Sequence, residues 1–107
     1  MIEVKIKPLS VNDAWKGRRF RTDAYKSYER ALLLMLPKIT LPKSPYKLEL
    51  VFGFSSKGSD IDNPNKNLTD VLSKKYGFND NEIYELHVKK EIVKKGQEFI
   101  KFQILSL

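Results

Sequence analysis

Apolar and polar residues follow one another along this chain in patterns that mark six elements. In "IEVKIK", residues 2–7, Ile2, Val4 and Ile6 fall on one face and Glu3, Lys5 and Lys7 on the other, the period of a half-buried strand closed by Pro8. Residues 9–21 carry no period and read as a loop. Thr22 then offers a hydroxyl to cap a helix, and Asp23 suits the positive end of its dipole. Tyr25, Tyr28, Leu32 and Met35 recur at helical spacing until Pro37. The clearest strand is "YKLELVFGF", residues 46–54, with Tyr46, Leu48, Leu50, Phe52 and Phe54 pointing one way. A second helix is predicted with Asn63 as its cap and Pro64 as its first residue. It carries Leu68, Val71 and Leu72 as an apolar stripe and ends before Gly77. The final third reads as a hairpin. Tyr84, Leu86, Val88 and Ile92 alternate with Glu85, His87, Lys89 and Glu91, "KKGQ" turns the chain, and Ile100, Phe102 and Ile104 line the return.

The order is β-α-β-α-β-β. Each strand has one oily and one polar face, which predicts an α+β fold, a sheet with helices packed mainly on one face. At 107 residues the chain is sized for one domain spanning 1–107. A second subunit is the natural cover for an open sheet edge. No apolar run is long enough for a membrane span, and "MIEVKIKPLS" is charged where a signal peptide would be apolar. No cysteine is present, which excludes disulfides and thiolate metal sites and fits a reducing, cytoplasmic setting.

Charge adds a direction. Twenty Lys and Arg against thirteen Asp and Glu leave a net charge of +7, the balance expected of a protein that meets a polyanion. A lysine-rich surface on an ordinary small protein has the same balance. The loop "WKGRRFRT" tips the choice towards nucleic acid. Lys16, Arg18, Arg19 and Arg21 can meet phosphates, and Trp15 and Phe20 can stack on unpaired bases or wedge between them.

Against that positive background, "GSDIDNPNK" gathers Asp60, Asp62, Asn63 and Lys66 into nine residues. If the backbone stays extended after the strand, Asp60 and Asp62 project to the same side and repel each other unless a cation relieves them. Oxygen ligands of this kind suit Mg²⁺, which binds through one or two carboxylates and phosphate oxygens. Lys66, at the third helical position, sits badly in the dipole unless carboxylates or a phosphate face it. The same residues also make an ordinary Asx-rich helix entry with a solvated lysine. Asp80, in "FNDNEI", matters only as a third acid. A helix over 64–76 is about 20 Å long. The four residues from Gly77 to Asp80 return about 13 Å at most. Asp80 therefore rejoins the first acids by near-complete reversal, or a dimer mate supplies it. His87, alone on a polar strand face, reads as solvated.

"SDIDNPNK", a short helix and then "YGFNDNEI" resemble the core signature of the RusA family of Holliday junction resolvases, and "LSVNDAWKGRRFRTDAYKSYE" resembles that family's amino-terminal region. The resemblance covers most of the chain. It implies a RusA-like dimeric fold and a Mg²⁺-dependent endonuclease, with Mn²⁺ as a substitute, that nicks two strands of a four-way DNA junction symmetrically. By the same resemblance Asp60, Asp62 and Asp80 are the metal-binding and catalytic acids and Lys66 the catalytic lysine, while Asn63 holds the family's asparagine position. It further implies a prokaryotic or phage-infected cell, close to the nucleoid. Two positions depart from the pattern. Asn79-Asp80 stands where adjacent aspartates are common, and Pro64 stands where a leucine is usual. The competing expectations are a non-catalytic basic DNA-binding module and a structural subunit whose basic face meets an acidic protein.

Overall fold

The computed structural model describes residues 1–17 and 20–107. Its elements are β1 (Ile2–Val4), a 3-10 turn (Val11–Asp13), β2 (Trp15–Lys16), β3 (Phe20–Arg21) and α1 (Asp23–Met35). After these come β4 (Tyr46–Phe54), α2 (Asn65–Tyr76), a second 3-10 turn (Asp80–Glu82), β5 (Ile83–Ile92) and β6 (Phe99–Ser106). The main sheet is mixed, in the order β1-β6-β4-β5, and β2 with β3 forms a small separate ladder.

Period-two alternation buries one face. Tyr46, Leu48, Leu50, Phe52 and Phe54 of β4 join Ile100 and Phe102 of β6 in one core with Tyr25, Tyr28 and Leu32 of α1 and Leu68, Val71 and Leu72 of α2. Both helices thus cover the same side of the sheet, and the fold is α+β as the pattern predicted. The other side is open and mixes Lys47, Glu49 and Lys101 with Val51, Gln103 and Leu105, and at its end the Phe99 ring lies over Gly53. A Cβ at residue 53 would stand 2.3 Å from that ring, so only glycine fits there.

The helix ends follow the sequence at three of four places. Thr22 caps α1, accepting from the Tyr25 amide at 3.1 Å, and α1 ends at Met35, before Pro37. Gly77 closes α2 with φ 77°, a left-handed conformation that glycine adopts without strain. The start of α2 differs: Pro64, not Asn63, occupies the cap position and makes no side-chain cap bond, so Lys66 is the second helical residue. Met35 is exposed, and Leu36 takes the buried place expected of it.

The sheet corrects two strand expectations. β1 stops at Val4 rather than at residue 7. β5 and β6 are not a hairpin: β4 lies between them, parallel to β5 and antiparallel to β6. "KKGQ" does turn, with Gln97 N–H on the Lys94 carbonyl at 2.9 Å, but it carries the chain across β4 instead of pairing its flanks. β5 is consequently an edge strand beyond the cover of the helices. Leu86 (49%) and Ile92 (45%), on the core-side face, stay exposed, as does Tyr84 (69%) at the register shift near the strand's start. His87 is exposed on the opposite face, 3.7 Å from Glu85. The nominal loop 9–21 also holds structure, a 3-10 turn capped by Ser10 and the β2–β3 ladder.

Candidate functional site

β4 delivers the chain to the acid segment. Lys90 of β5 donates to the carbonyls of Lys57 and Ser59, pinning the loop just before Asp60 to the edge strand. Residues 61–64 then form a turn, with Asn65 N–H on the Asp62 carbonyl at 3.3 Å. The extended backbone expected to project Asp60 and Asp62 together is therefore replaced by a bend, and both carboxylates are exposed. Asn63, freed from capping, donates its side-chain amide to Asp60 Oδ2 at 3.4 Å, and its carbonyl accepts from Val11 N–H at 2.9 Å. Asp60 and Asn63 stand on the wall of a cleft of about 530 Å³ whose other lining includes Ile6, Leu9, Tyr28 and Phe54.

The first turn of α2 presents Lys66. Its ammonium donates to Asp80 Oδ2 at 2.8 Å and to Asp70 Oδ1 at 3.0 Å. The unfavourable place of a cation near a helix start is thereby offset by two carboxylates. The hydrogen bond to Asp80, then that to Asp70, hold the Lys66 ammonium above the ordinary lysine range, and Lys66 in turn holds Asp80 below the ordinary carboxylate range. Three ammonium hydrogens with two engaged leave one to donate elsewhere.

Asp80 reaches this place within its own chain. Gly77 reverses the backbone and Phe78 buries against Tyr46 with ring centroids 5.6 Å apart. Asn79 and Glu82 then cap the short turn reciprocally. The chain reverses far enough to bring Asp80 beside Lys66 without a second subunit, but Asp60, Asp62 and Asp80 do not gather into one group among the described residues, so the expected meeting of the three acids is not found within the chain.

Sequence reasoning missed Asp70. Its position four residues after Lys66 was the available signal, since such pairs meet on a helix. Asp70 faces two cations, because its Oδ2 accepts from the Arg21 guanidinium at 3.1 Å. Arg21 lies between two rings, 3.8 Å from the Trp15 centroid and 3.9 Å from that of Tyr25. Arg21, expected as a phosphate contact, ties the β2–β3 ladder to α2 through Asp70. Lys16 is exposed, as are Trp15 (41%) and Phe20 (70%). Arg18 and Arg19 lie outside the described residues.

Among the described residues, no three acidic, histidine or cysteine side chains gather into a group that could hold a metal ion. The donors themselves, carboxylate oxygens on exposed side chains, are of the kind a hard divalent cation takes. A magnesium ion here would take its protein ligands from Asp60 and Asp62, with Asp80 engaged by Lys66 and phosphate oxygens completing its shell. Compared with known proteins, the chain matches no family model and no curated sequence.

Proposed function

We propose that this protein is a Mg²⁺-dependent endodeoxyribonuclease acting on branched DNA, in the manner of the Holliday junction resolvases its motifs resemble. The observation that carries the reading is the 2.8 Å contact between Lys66 and Asp80, which joins two motif halves fourteen residues apart. In the reaction, water adds to a phosphodiester phosphorus, the bond to the 3′ oxygen breaks, and a 5′ phosphate and a 3′ hydroxyl result. Asp60 and Asp62 would hold the metal, with Asn63 restraining Asp60 through its amide. Lys66 keeps its charge through Asp70 and Asp80 and donates its remaining hydrogen to a phosphate oxygen, where negative charge grows as the bond breaks. Bound magnesium supplies Lewis-acid stabilisation of the departing oxygen and acidifies the attacking water.

Paired nicks at a junction of near two-fold symmetry call for paired sites. The exposed edge of β5 suits a second copy. An antiparallel pairing centred on His87 sets Glu85 against the partner's Lys89 on the open face and Leu86 against the partner's Val88 on the core face.

The test is a synthetic four-way junction and a matched linear duplex, each with Mg²⁺ or EDTA, incubated with the wild type and with Asp60→Asn. The junction is expected to be nicked only by the wild type in Mg²⁺, and the variant should lose at least about 100-fold in rate. Nicking that persists in EDTA or in Asp60→Asn rejects the reading. The absence of a three-acid group among the described residues favours one rival, a DNA-binding module without catalysis. That rival predicts equal junction binding with and without Mg²⁺ and no nicking.

A further inference from the structure

The arrangement around Trp15 has a use that phosphate binding does not explain. Arg21 is threaded between the Trp15 and Tyr25 rings at 3.8 and 3.9 Å, and Asp70 holds the far side of its guanidinium at 3.1 Å. One face of the indole is therefore taken by a fixed cation, and its place in the β2–β3 ladder is set by pairing with Arg21. The ring is nonetheless 41% exposed, and Phe20, paired with Lys16 on the other face of the ladder, is 70% exposed. Two large aromatics held outward cost solubility unless something planar covers them. In a chain of net charge +7 the planar partner that fits is a nucleobase.

We propose that Trp15 is a stacking platform for one unpaired nucleobase, and that Arg21 and Asp70 hold this platform in fixed relation to Lys66. A stacked base would extend the column Trp15–Arg21–Tyr25. The same Asp70 that anchors the column through one oxygen grips Lys66 through the other at 3.0 Å. Base capture and the placement of the lysine thus share one carboxylate. A fully paired duplex offers no free base face to Trp15, whereas single strands and opened branch points do, so the platform selects for unpaired DNA.

The proposal rests on the nucleic-acid half of the functional reading and not on its metal chemistry. Its test is accordingly run in EDTA with the Asp60→Asn chain. Trp15 is the sole tryptophan, so fluorescence excited on the red edge, where the five tyrosines do not absorb, reports this ring alone. Oligothymidylate is titrated into the protein, and a blunt duplex of equal nucleotide count serves as the comparison. The single strand is expected to quench Trp15 and the duplex to leave it nearly unchanged. In parallel, binding to labelled DNA is followed by anisotropy. Trp15→Ala should weaken single-strand affinity about tenfold, with duplex affinity and salt dependence held, and Trp15→Phe should restore most of the loss. Arg21→Lys retains the charge but not the planar stack and should reduce the quench. Single-strand binding that leaves Trp15 fluorescence unchanged overturns the platform while sparing the nuclease reading. Equal weakening of both DNAs by Trp15→Ala does the same. Failure to bind either DNA at low salt overturns both.

Discussion

Lys66 is the residue on which most of the local electrostatics converge. Both of its partners favour the charged form, so it acts as a fixed cation and not as a base. The signs of the shifts define when the pair with Asp80 helps the fold. Asp80 is depressed, so its contribution is present above the ordinary carboxylate pKa and fades as pH falls through the lowered value. Lys66 is raised, so its contribution is present below the ordinary lysine pKa and fades as pH climbs through the raised value. The pair is therefore intact across the whole neutral range. Asp80→Asn should move the Lys66 titration, followed by NMR of its side-chain nitrogen, back towards the ordinary value, and further than Asp70→Asn does. With both Lys66 and Asp80 exposed to solvent, stability should change little. An unmoved titration would mean that Asp80 does not hold the lysine. The Lys66–Asp70 pair was within reach of sequence reasoning because its spacing is local. The role of Arg21 was not, since its partner Asp70 is forty-nine residues away and only the tertiary fold brings them together.

At the scale of elements, α2 organises the site by fastening the segment that precedes the ladder. Buried Asn67 donates to the Leu9 carbonyl at 2.8 Å, and the Asn63 carbonyl takes the Val11 amide at 2.9 Å. Asn67→Ala removes one of these ties and leaves a carbonyl without its donor. It should cost about 1–3 kcal/mol in urea unfolding and speed amide exchange around Val11. A cost below the error of the measurement would show that the loop is held by other means. Strand and helix positions were readable from period and capping chemistry, which act over a few residues. Strand neighbours were not. A glycine-bearing turn between two alternating runs signals a hairpin, yet here the turn spans a third strand, and no local pattern reveals that β4 enters the gap. The bend at 61–64 was equally hidden, because the alternation of β4 gives no sign of where extension stops.

For the whole molecule, the edge left by that topology is the main unfinished surface. β5 presents Leu86 and Ile92 on the core-side face without helix cover. Leu86→Lys places a cation at the centre of the proposed two-fold contact and should turn a dimer into a monomer in sedimentation, with circular dichroism unchanged. Junction nicking should then become unpaired, one strand at a time. A wild type that sediments as a monomer at micromolar concentration rejects the β5 contact outright. Lys90 gives this edge a second significance. It belongs to the outermost strand and also grips the peptide oxygens leading into Asp60. Whatever binds alongside β5 would thus tug on the acid turn through a single ammonium group, so the proposed assembly and the proposed chemistry would share a mechanical linkage.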